Sequence, residues 1–154
     1  MMNRFLTALV ALVMVAVTAA SVQGQTAAAA PAPLLNANTA AEAEIARLPH
    51  LTPALARTIV SKRPLATFTA LDALLSPTLS RVQLTELYGR LFVPVDINVA
   101  TDADVLLIPN AGNRMVREFK EYRPWVALAQ FRREIGKYVN AEEIARLERY
   151  IVIK

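Results

Sequence analysis

The chain aligns with itself, without a gap, when it is displaced by 60 residues. Asn38 then meets Asn98, and the dipeptide Arg63-Pro64 meets Arg123-Pro124. Apolar positions keep the same register, as in the pairs Ile45/Val105, Leu48/Ile108, Ile59/Phe119, Phe68/Leu128, Leu71/Phe131 and Leu75/Ile135. A fixed period of this kind predicts two copies of one supersecondary unit, over residues 34–94 and 95–154.

Each copy is predicted to consist of short helices, which gives an all-α fold. Side-chain oxygens that can cap a helix N-terminus precede several apolar runs, and Thr52 is followed by Pro53 at the first helical position. The expected helix starts in the first copy are Thr39–Glu42, Thr52–Pro53, Thr69–Asp72 and Ser80–Gln83. In the second copy they are Thr101–Asp104, Gly112, a segment around Phe131 and Asn140–Glu143. None of these helices would be stable alone, so tertiary packing must hold them.

The N-terminus has the pattern of a secretory signal peptide over residues 1–24. Arg4 precedes an uncharged apolar run from Phe5 to Ala20, and small residues follow that run. An uncleaved membrane anchor that leaves the protein facing outward is the alternative, although 16 apolar residues fall short of the usual span. Residues 25–33 are rich in Ala and Pro and are predicted to be a linker. The remainder is therefore expected to be periplasmic or secreted, with membrane contact only through an uncleaved N-terminal segment.

Composition excludes most enzyme chemistry. The 154 residues contain no cysteine and one histidine, His50. Thiolate metal sites, cysteine nucleophiles and clusters of histidine ligands are thus excluded, and no nucleophile–base constellation is recognisable. We expect no catalytic residue, metal, cofactor or small-molecule substrate.

Two stretches of the first copy resemble the bacterial competence DNA-receptor (ComEA-like) family. Residues 35–40 read Leu-Asn-Ala-Asn-Thr-Ala, and residues 48–52 read Leu-Pro-His-Leu-Thr, where that family has N-x-N-T-A and L-P-G-I-G. The second copy is similar, with Ile97-Asn98-Val99-Ala100 and Ile108-Pro109-Asn110-Ala111-Gly112. The resemblance implies tandem helix-hairpin-helix repeats with a SAM-like arrangement, and an exported domain that binds double-stranded DNA without sequence preference.

In that family, a glycine-rich hairpin leads into a helix N-terminus whose free amides bind a DNA phosphate. This chain replaces most of those glycines. His50, Thr78, Asn110 and Tyr138 stand at the first glycine position, and Thr52, Ser80, Gly112 and Asn140 stand at the second. Only the third hairpin keeps glycine at the helix start, followed by nearby arginines. The predicted phosphate-binding residues are Asn110, Gly112, Asn113, Arg114, Arg117 and Lys137, with Arg132 and Arg133 flanking the fourth hairpin.

A structural or protein-interaction module of the cell envelope is the alternative function. An extrinsic lumenal subunit of photosystem II resembles the same domain and docks to protein, so the fold alone does not imply DNA. Charge favours neither function strongly, because residues 34–94 hold six basic and four acidic side chains and residues 95–154 hold ten and nine. A net charge of +2 and +1 predicts weak DNA binding at most.

Overall fold

The computed structural model of the chain describes residues 33–154, so the predicted signal peptide and all but the last residue of the predicted linker lie outside the described residues. These residues are mostly helical, as predicted. The helices of the first half are α1 (Glu42–Ile45), α2 (Pro53–Ser61), α3 (Phe68–Leu75) and α4 (Arg81–Tyr88). Those of the second half are α5 (Asp102–Leu106), α6 (Asn113–Glu121), α7 (Leu128–Ile135) and α8 (Ala141–Glu148). Every helix in the described part is too short to cross a bilayer.

The prediction of an all-α fold is confirmed in part: residues 33–154 are mostly helical and also contain four two-residue strands. They are β1 (Leu35–Asn36), β2 (Leu91–Phe92), β3 (Val95–Asp96) and β4 (Ile151–Val152). The strands β1 and β2 pair in parallel, and so do β3 and β4. Each pairing joins the start of one half to its end. It supplies hydrogen-bond partners for the N–H and C=O groups of these extended segments, which lie outside the helices.

The two halves are built alike, element by element. Each of α5 to α8 and each of β3 and β4 begins 60 residues after its counterpart in the first half. Backbone exceptions recur at the same interval: the peptide bonds before Pro64 and Pro124 are cis, and His50 and Asn110 have positive φ angles of 65° and 62°.

Arg63 and Arg123 tie the start of each half to the end of its second helix. The Arg63 guanidinium donates to the carbonyl oxygens of Ala37 and Ala40 at 2.7 and 2.6 Å. Arg123 donates to those of Ile97 and Ala100 at 2.7 and 2.8 Å. The recurrence of the Arg-Pro dipeptide in the sequence therefore reflects a structural role, and these two arginines are not free to bind a ligand.

Asn38 and Asn98 make the second recurring tie. The Asn38 side chain donates to the Leu65 carbonyl and accepts from the Leu65 amide, at 2.9 and 2.8 Å. Asn98 does the same with Trp125, at 2.9 and 2.7 Å. Both asparagines thus hold the loop that precedes the third helix of their half.

One apolar core runs through both halves. Phe68, Leu87, Phe119 and Phe131 are fully buried, and Trp125 is 2% exposed. Burying a side chain of this size stabilises the fold by roughly 1.5–3 kcal/mol, which is how such short helices persist. The halves also touch directly, since the Phe92 and Tyr150 rings stack edge to face and the Tyr150 hydroxyl donates to the Tyr88 carbonyl at 3.1 Å.

Most of the predicted helix starts are confirmed, with Thr52, Ser80, Thr101 and Asn140 as N-caps. The start of α1 at Thr39 is wrong: the Thr39 and Ala40 amides bond the Asn36 carbonyl in a turn, and Ala41 becomes the N-cap. The start of α3 is also wrong, because Thr67 rather than Thr69 caps it. In both helices the N-cap is a residue two positions away from the predicted one: Ala41 for α1 and Thr67 for α3.

Candidate nucleic-acid interface

The N-terminus of α6 is formed by the turn from Ile108 to Gly112. The Ala111 amide donates to the Ile108 carbonyl at 2.9 Å, and Asn110 takes the left-handed conformation that this turn requires. Asn is one of the few residues that tolerate that conformation, so its place at the first glycine position has a physical reason. Gly112 is the N-cap, and no side chain of the described part of the chain caps the helix there.

The backbone conformation at position 112 does not require glycine. Its φ and ψ are −96° and −179°, which is extended backbone that any residue adopts. Within residues 33–154, a Cβ on Gly112 would meet no atom within 4 Å. The consequence of the glycine is therefore chemical: it places no side-chain oxygen over the first amides of α6, so those donors remain open to an anion.

The other three hairpins cover these amides. Thr52 Oγ1 accepts from the Leu55 amide at 3.2 Å, and Pro53 removes one amide altogether. Ser80 Oγ accepts from the Gln83 amide at 3.4 Å, and Asn140 Oδ1 accepts from the Glu143 amide at 2.9 Å. Among the four hairpins of residues 33–154, only the third presents an uncapped helix start.

The hairpins also differ at the first glycine position. His50 and Asn110 have positive φ, whereas Thr78 and Tyr138 do not. The latter two instead donate their amides to the carbonyls of Leu75 and Ile135, three residues earlier, at 3.0 and 2.9 Å. The second and fourth turns therefore avoid a conformation that Thr and Tyr adopt poorly. His50 Nε2 lies 2.8 Å from Glu86 Oε2, which gives the single histidine a partner within its own half.

Arg114 and Arg117 lie on α6 just after the open tip, and both side chains are exposed. The Arg114 guanidinium lies over the Tyr138 ring, 4.8 Å from its centroid. Arg117 forms no ion pair or side-chain hydrogen bond within residues 33–154. The structure thus places Asn110, Gly112, Asn113 and Arg114 at one helix tip, with Arg117 one turn further along α6.

Lys137 lies near the same helix tip, because it contacts Tyr122, which is hydrogen-bonded to Tyr138. Its Nζ lies 5.3 Å from the centroid of the Tyr122 ring, and the hydroxyls of Tyr122 and Tyr138 are 2.9 Å apart. The Lys137 ammonium is also paired with Glu134, and this hydrogen bond raises the pKa of Lys137. Lys137 is therefore brought to the tyrosine pair that supports Arg114, but with its charge compensated.

Further basic side chains near the fourth hairpin are neutralised in the same way. Arg132 donates twice to the Glu148 carboxylate, at 2.6 and 2.9 Å. Arg133 donates to Glu134 at 2.8 Å. The flanking cations predicted from sequence therefore add little net positive potential to the α6 tip.

Sequence reasoning missed Glu118 and the Tyr122–Tyr138 contact. Glu118 is 8% exposed, and its Oε2 atom has no hydrogen-bond partner among residues 33–154. It follows Arg114 by four residues, so the two side chains leave the same face of α6. It also follows Met115 by three residues, which places it at the edge of the apolar face of α6, and this spacing is a sequence signal of its burial.

No family model, no curated protein and no solved structure matches this chain. Residues 33–154 hold no cluster of three or more His, Asp or Glu side chains that could bind a metal ion.

Proposed function

We propose that this protein consists of tandem helix-hairpin-helix repeats and binds the backbone of double-stranded DNA, weakly and without sequence preference, after export by its N-terminal segment. The uncapped start of α6, opened by Gly112 and flanked by Arg114 and Arg117, carries the proposal. The matching bounds of the two halves and the left-handed residues at His50 and Asn110 support the hairpin assignment.

The binding chemistry is that of an anion at a helix N-terminus. A phosphate oxygen accepts hydrogen bonds from the first amides of α6, where the helix dipole favours negative charge. The Arg114 and Arg117 guanidiniums add positive charge at the rim, and the Tyr138 ring holds Arg114 in place. Because one tip neutralises few phosphates, affinity is expected to be at the weak end of non-specific binding, about 10⁻⁴ M at physiological salt.

Two substitutions at Gly112 provide a matched test. Gly112→Ser supplies a capping oxygen, as Ser80 does in the second hairpin, whereas Gly112→Ala supplies only a Cβ. Fluorescence anisotropy with a labelled duplex, titrated at low and moderate salt, should show weaker binding for the serine variant and nearly unchanged binding for the alanine variant.

The thermal stabilities of the two Gly112 variants should follow the opposite order to their DNA affinities. Serine is a slightly better N-cap than glycine, and an alanine N-cap lowers the free energy of unfolding by about 1 kcal/mol relative to serine. The serine variant should therefore be the more stable and the poorer DNA binder, a combination that unfolding cannot produce. Arg114→Ala should weaken binding to every sequence and lower the salt slope by about 1. Absence of binding by the wild type at low salt would reject the function.

The ion pairing of the second half favours one other function, that of a protein-docking module of the cell envelope. Five of its cations are held by acidic partners: Lys120, Arg132, Arg133, Lys137 and Arg146. A surface of alternating compensated charges suits a specific protein partner better than a uniformly anionic duplex. Recovery of one stable envelope protein in the presence of excess DNA, by a wild type that does not bind DNA, would establish this function instead.

A further inference from the structure

A polar face of α6 lies directly behind its open tip. Arg114, Glu118 and Tyr122 are spaced four residues apart, so their side chains share one face of the helix. Tyr138 lies across this face. Its ring centroid is 4.8 Å from the Arg114 guanidinium carbon, and its hydroxyl oxygen is 2.9 Å from that of Tyr122. Because Tyr138 contacts the residues one turn before and one turn after Glu118, it covers the Glu118 side chain, which is 8% exposed.

The charge of Glu118 has no cation close to it. The Oε2 atom is buried without a hydrogen-bond partner among residues 33–154, and Glu118 takes part in none of the ion pairs of these residues. Hydrogen bonding to Tyr122, and next to Glu118, raises the pKa of Tyr138, so the carboxylate lies beside a neutral hydroxyl. Lys137, the cation that contacts the tyrosine pair, is held by Glu134. A buried carboxylate in these surroundings acts on its neighbours with little screening.

The first half has no acid at the corresponding place. Thr58 stands 60 residues before Glu118, and its Oγ1 atom donates to the Ala54 carbonyl of its own helix at 2.9 Å. Ala54 and Thr78 stand at the positions of the arginine and of the tyrosine that covers the acid. Of the two halves of residues 33–154, only the one with the open tip combines all three side chains.

We infer that the buried Glu118 carboxylate limits phosphate binding at the α6 tip, an inference that rests on the function proposed above. Glu118 is separated from the first residue of α6 by five steps of about 1.5 Å, so its charge lies about 8 Å behind the first amides. Repulsion over about 8 Å weakens the binding of a phosphate about twofold in water and about thirtyfold at an effective dielectric constant of about 20. The tip is open to solvent and the acid is buried, so an intermediate effect of about fivefold is expected.

The same carboxylate acts on Arg114. The two residues have the four-residue spacing at which opposite charges attract each other along a helix. This attraction holds the Arg114 guanidinium over the Tyr138 ring and must be overcome when Arg114 turns to a phosphate at the tip. Neutralising Glu118 therefore removes a repulsion and also releases a cation.

Glu118→Gln tests the inference, because it removes the charge and keeps the shape of the side chain. Fluorescence anisotropy with a labelled duplex at moderate salt should show about fivefold tighter binding than for the wild type. Glu121→Gln is the matched control. It changes the net charge equally, but Glu121 is exposed and three residues further from the tip, so its gain should stay below about twofold. Equal gains for the two variants, or no gain for Glu118→Gln, would overturn the inference.

The gain must also depend on the open tip. In a Gly112→Ser background, where a capping oxygen covers the amides, Glu118→Gln should tighten binding by less than about twofold. An undiminished gain in that background would place the effect elsewhere on the molecule and overturn the inference. If neither the wild type nor Glu118→Gln bound duplex DNA at low salt, the proposed function and the inference would both be rejected. Binding by the wild type without a gain for Glu118→Gln rejects the inference alone.

Urea unfolding provides a readout that needs no DNA. A buried carboxylate without a cation destabilises the folded state, so Glu118→Gln should raise the urea midpoint. Glu121→Gln, on the exposed surface, should leave the midpoint unchanged. A lower midpoint for Glu118→Gln would show that its charge is compensated in the folded protein, and would overturn the inference even where DNA binding is confirmed.

Discussion

The first and third hairpins have the same backbone conformation, but the helix amides are covered in the first and open in the third. Both place a left-handed residue, His50 or Asn110, two residues before an extended N-cap, and both lead into a nine-residue helix. In the first hairpin, Thr52 caps the helix and Pro53 deletes an amide. In the third, Gly112 leaves the same amides open.

This difference shows that the shape of the tip and its capacity to bind an anion are specified by different residues. The shape depends on the left-handed residue and on the turn hydrogen bond, from Leu51 to Leu48 in the first hairpin and from Ala111 to Ile108 in the third. The anion site depends on what stands at the N-cap and the two positions after it. Substitutions can therefore change one property and leave the other in place.

The largest effect should come from removing the shared scaffold. Arg63→Ala or Arg123→Ala deletes two charged hydrogen bonds to half-buried carbonyls and should lower the free energy of unfolding by about 2–4 kcal/mol. Urea denaturation followed by circular dichroism measures this. Arg57→Ala is the control: its side chain is exposed and 3.7 Å from Glu42, so it should cost less than about 0.5 kcal/mol. Clearly unequal costs for Arg63 and Arg123 would show that the halves are not equivalent.

Asp104 and Glu44 provide the next largest contrast. Burial raises the pKa of Asp104, but hydrogen bonds from Thr101 and Thr69 outweigh it, so that pKa lies below its ordinary value. A lowered carboxyl pKa stabilises the fold at pH values above the unfolded pKa, near 4, and the contribution is lost as pH falls through the native pKa.

Asp104→Asn should therefore cost about 1–3 kcal/mol at neutral pH, and the difference from wild type should shrink on acidification below about pH 4. Denaturation curves between neutral and acid pH measure it. Glu44→Gln, at the exposed counterpart, should cost only a few tenths of a kcal/mol, at most about 0.5. A cost for Asp104→Asn that did not change with pH would contradict the assigned role of the carboxylate.

Much of this fold could be predicted from the sequence because its signals are local. Thr52-Pro53, Ser80-Arg81-Val82-Gln83 and Asn140 each specify a helix start within four residues, and each start lies as predicted. The strands could not be predicted in this way. Each is two residues long, shorter than any hydrophobic alternation, and β1 pairs with a strand that begins 56 residues later.

The backbone conformation of the candidate site could be predicted from the sequence, but the ion pairing of its basic side chains was not predicted. The open Gly112 and the left-handed Asn110 follow from their residue types and spacing. The pairing of Arg132 with Glu148 depends on how α7 packs on α8, which the sequence does not reveal. The pairing of Lys137 with Glu134 is local, three residues apart, and its spacing was a signal that the sequence analysis did not use. The recurring Arg123 belonged to the scaffold, and a repeat alone cannot distinguish a structural arginine from a ligand-binding one.

The smallest expected effect comes from transplanting one tip onto the other. The triple variant Thr52→Gly/Pro53→Asn/Ala54→Arg gives the first hairpin the N-cap, amides and cation of the third, beside the resident Arg57, which is the counterpart of Arg117. Ala54 is exposed, so the added side chain fits without repacking. If an open amide tip with two arginines is what binds phosphate, this variant should bind duplex DNA a few times more tightly, with a salt slope larger by about 1.

Thr52→Gly alone is the matched control, because Pro53 still lacks the amide that the phosphate needs. Equal titrations for the single and triple variants would show that charge and open amides at a hairpin tip are not sufficient, and that DNA binding at α6 would need the Tyr138 support that the first hairpin lacks.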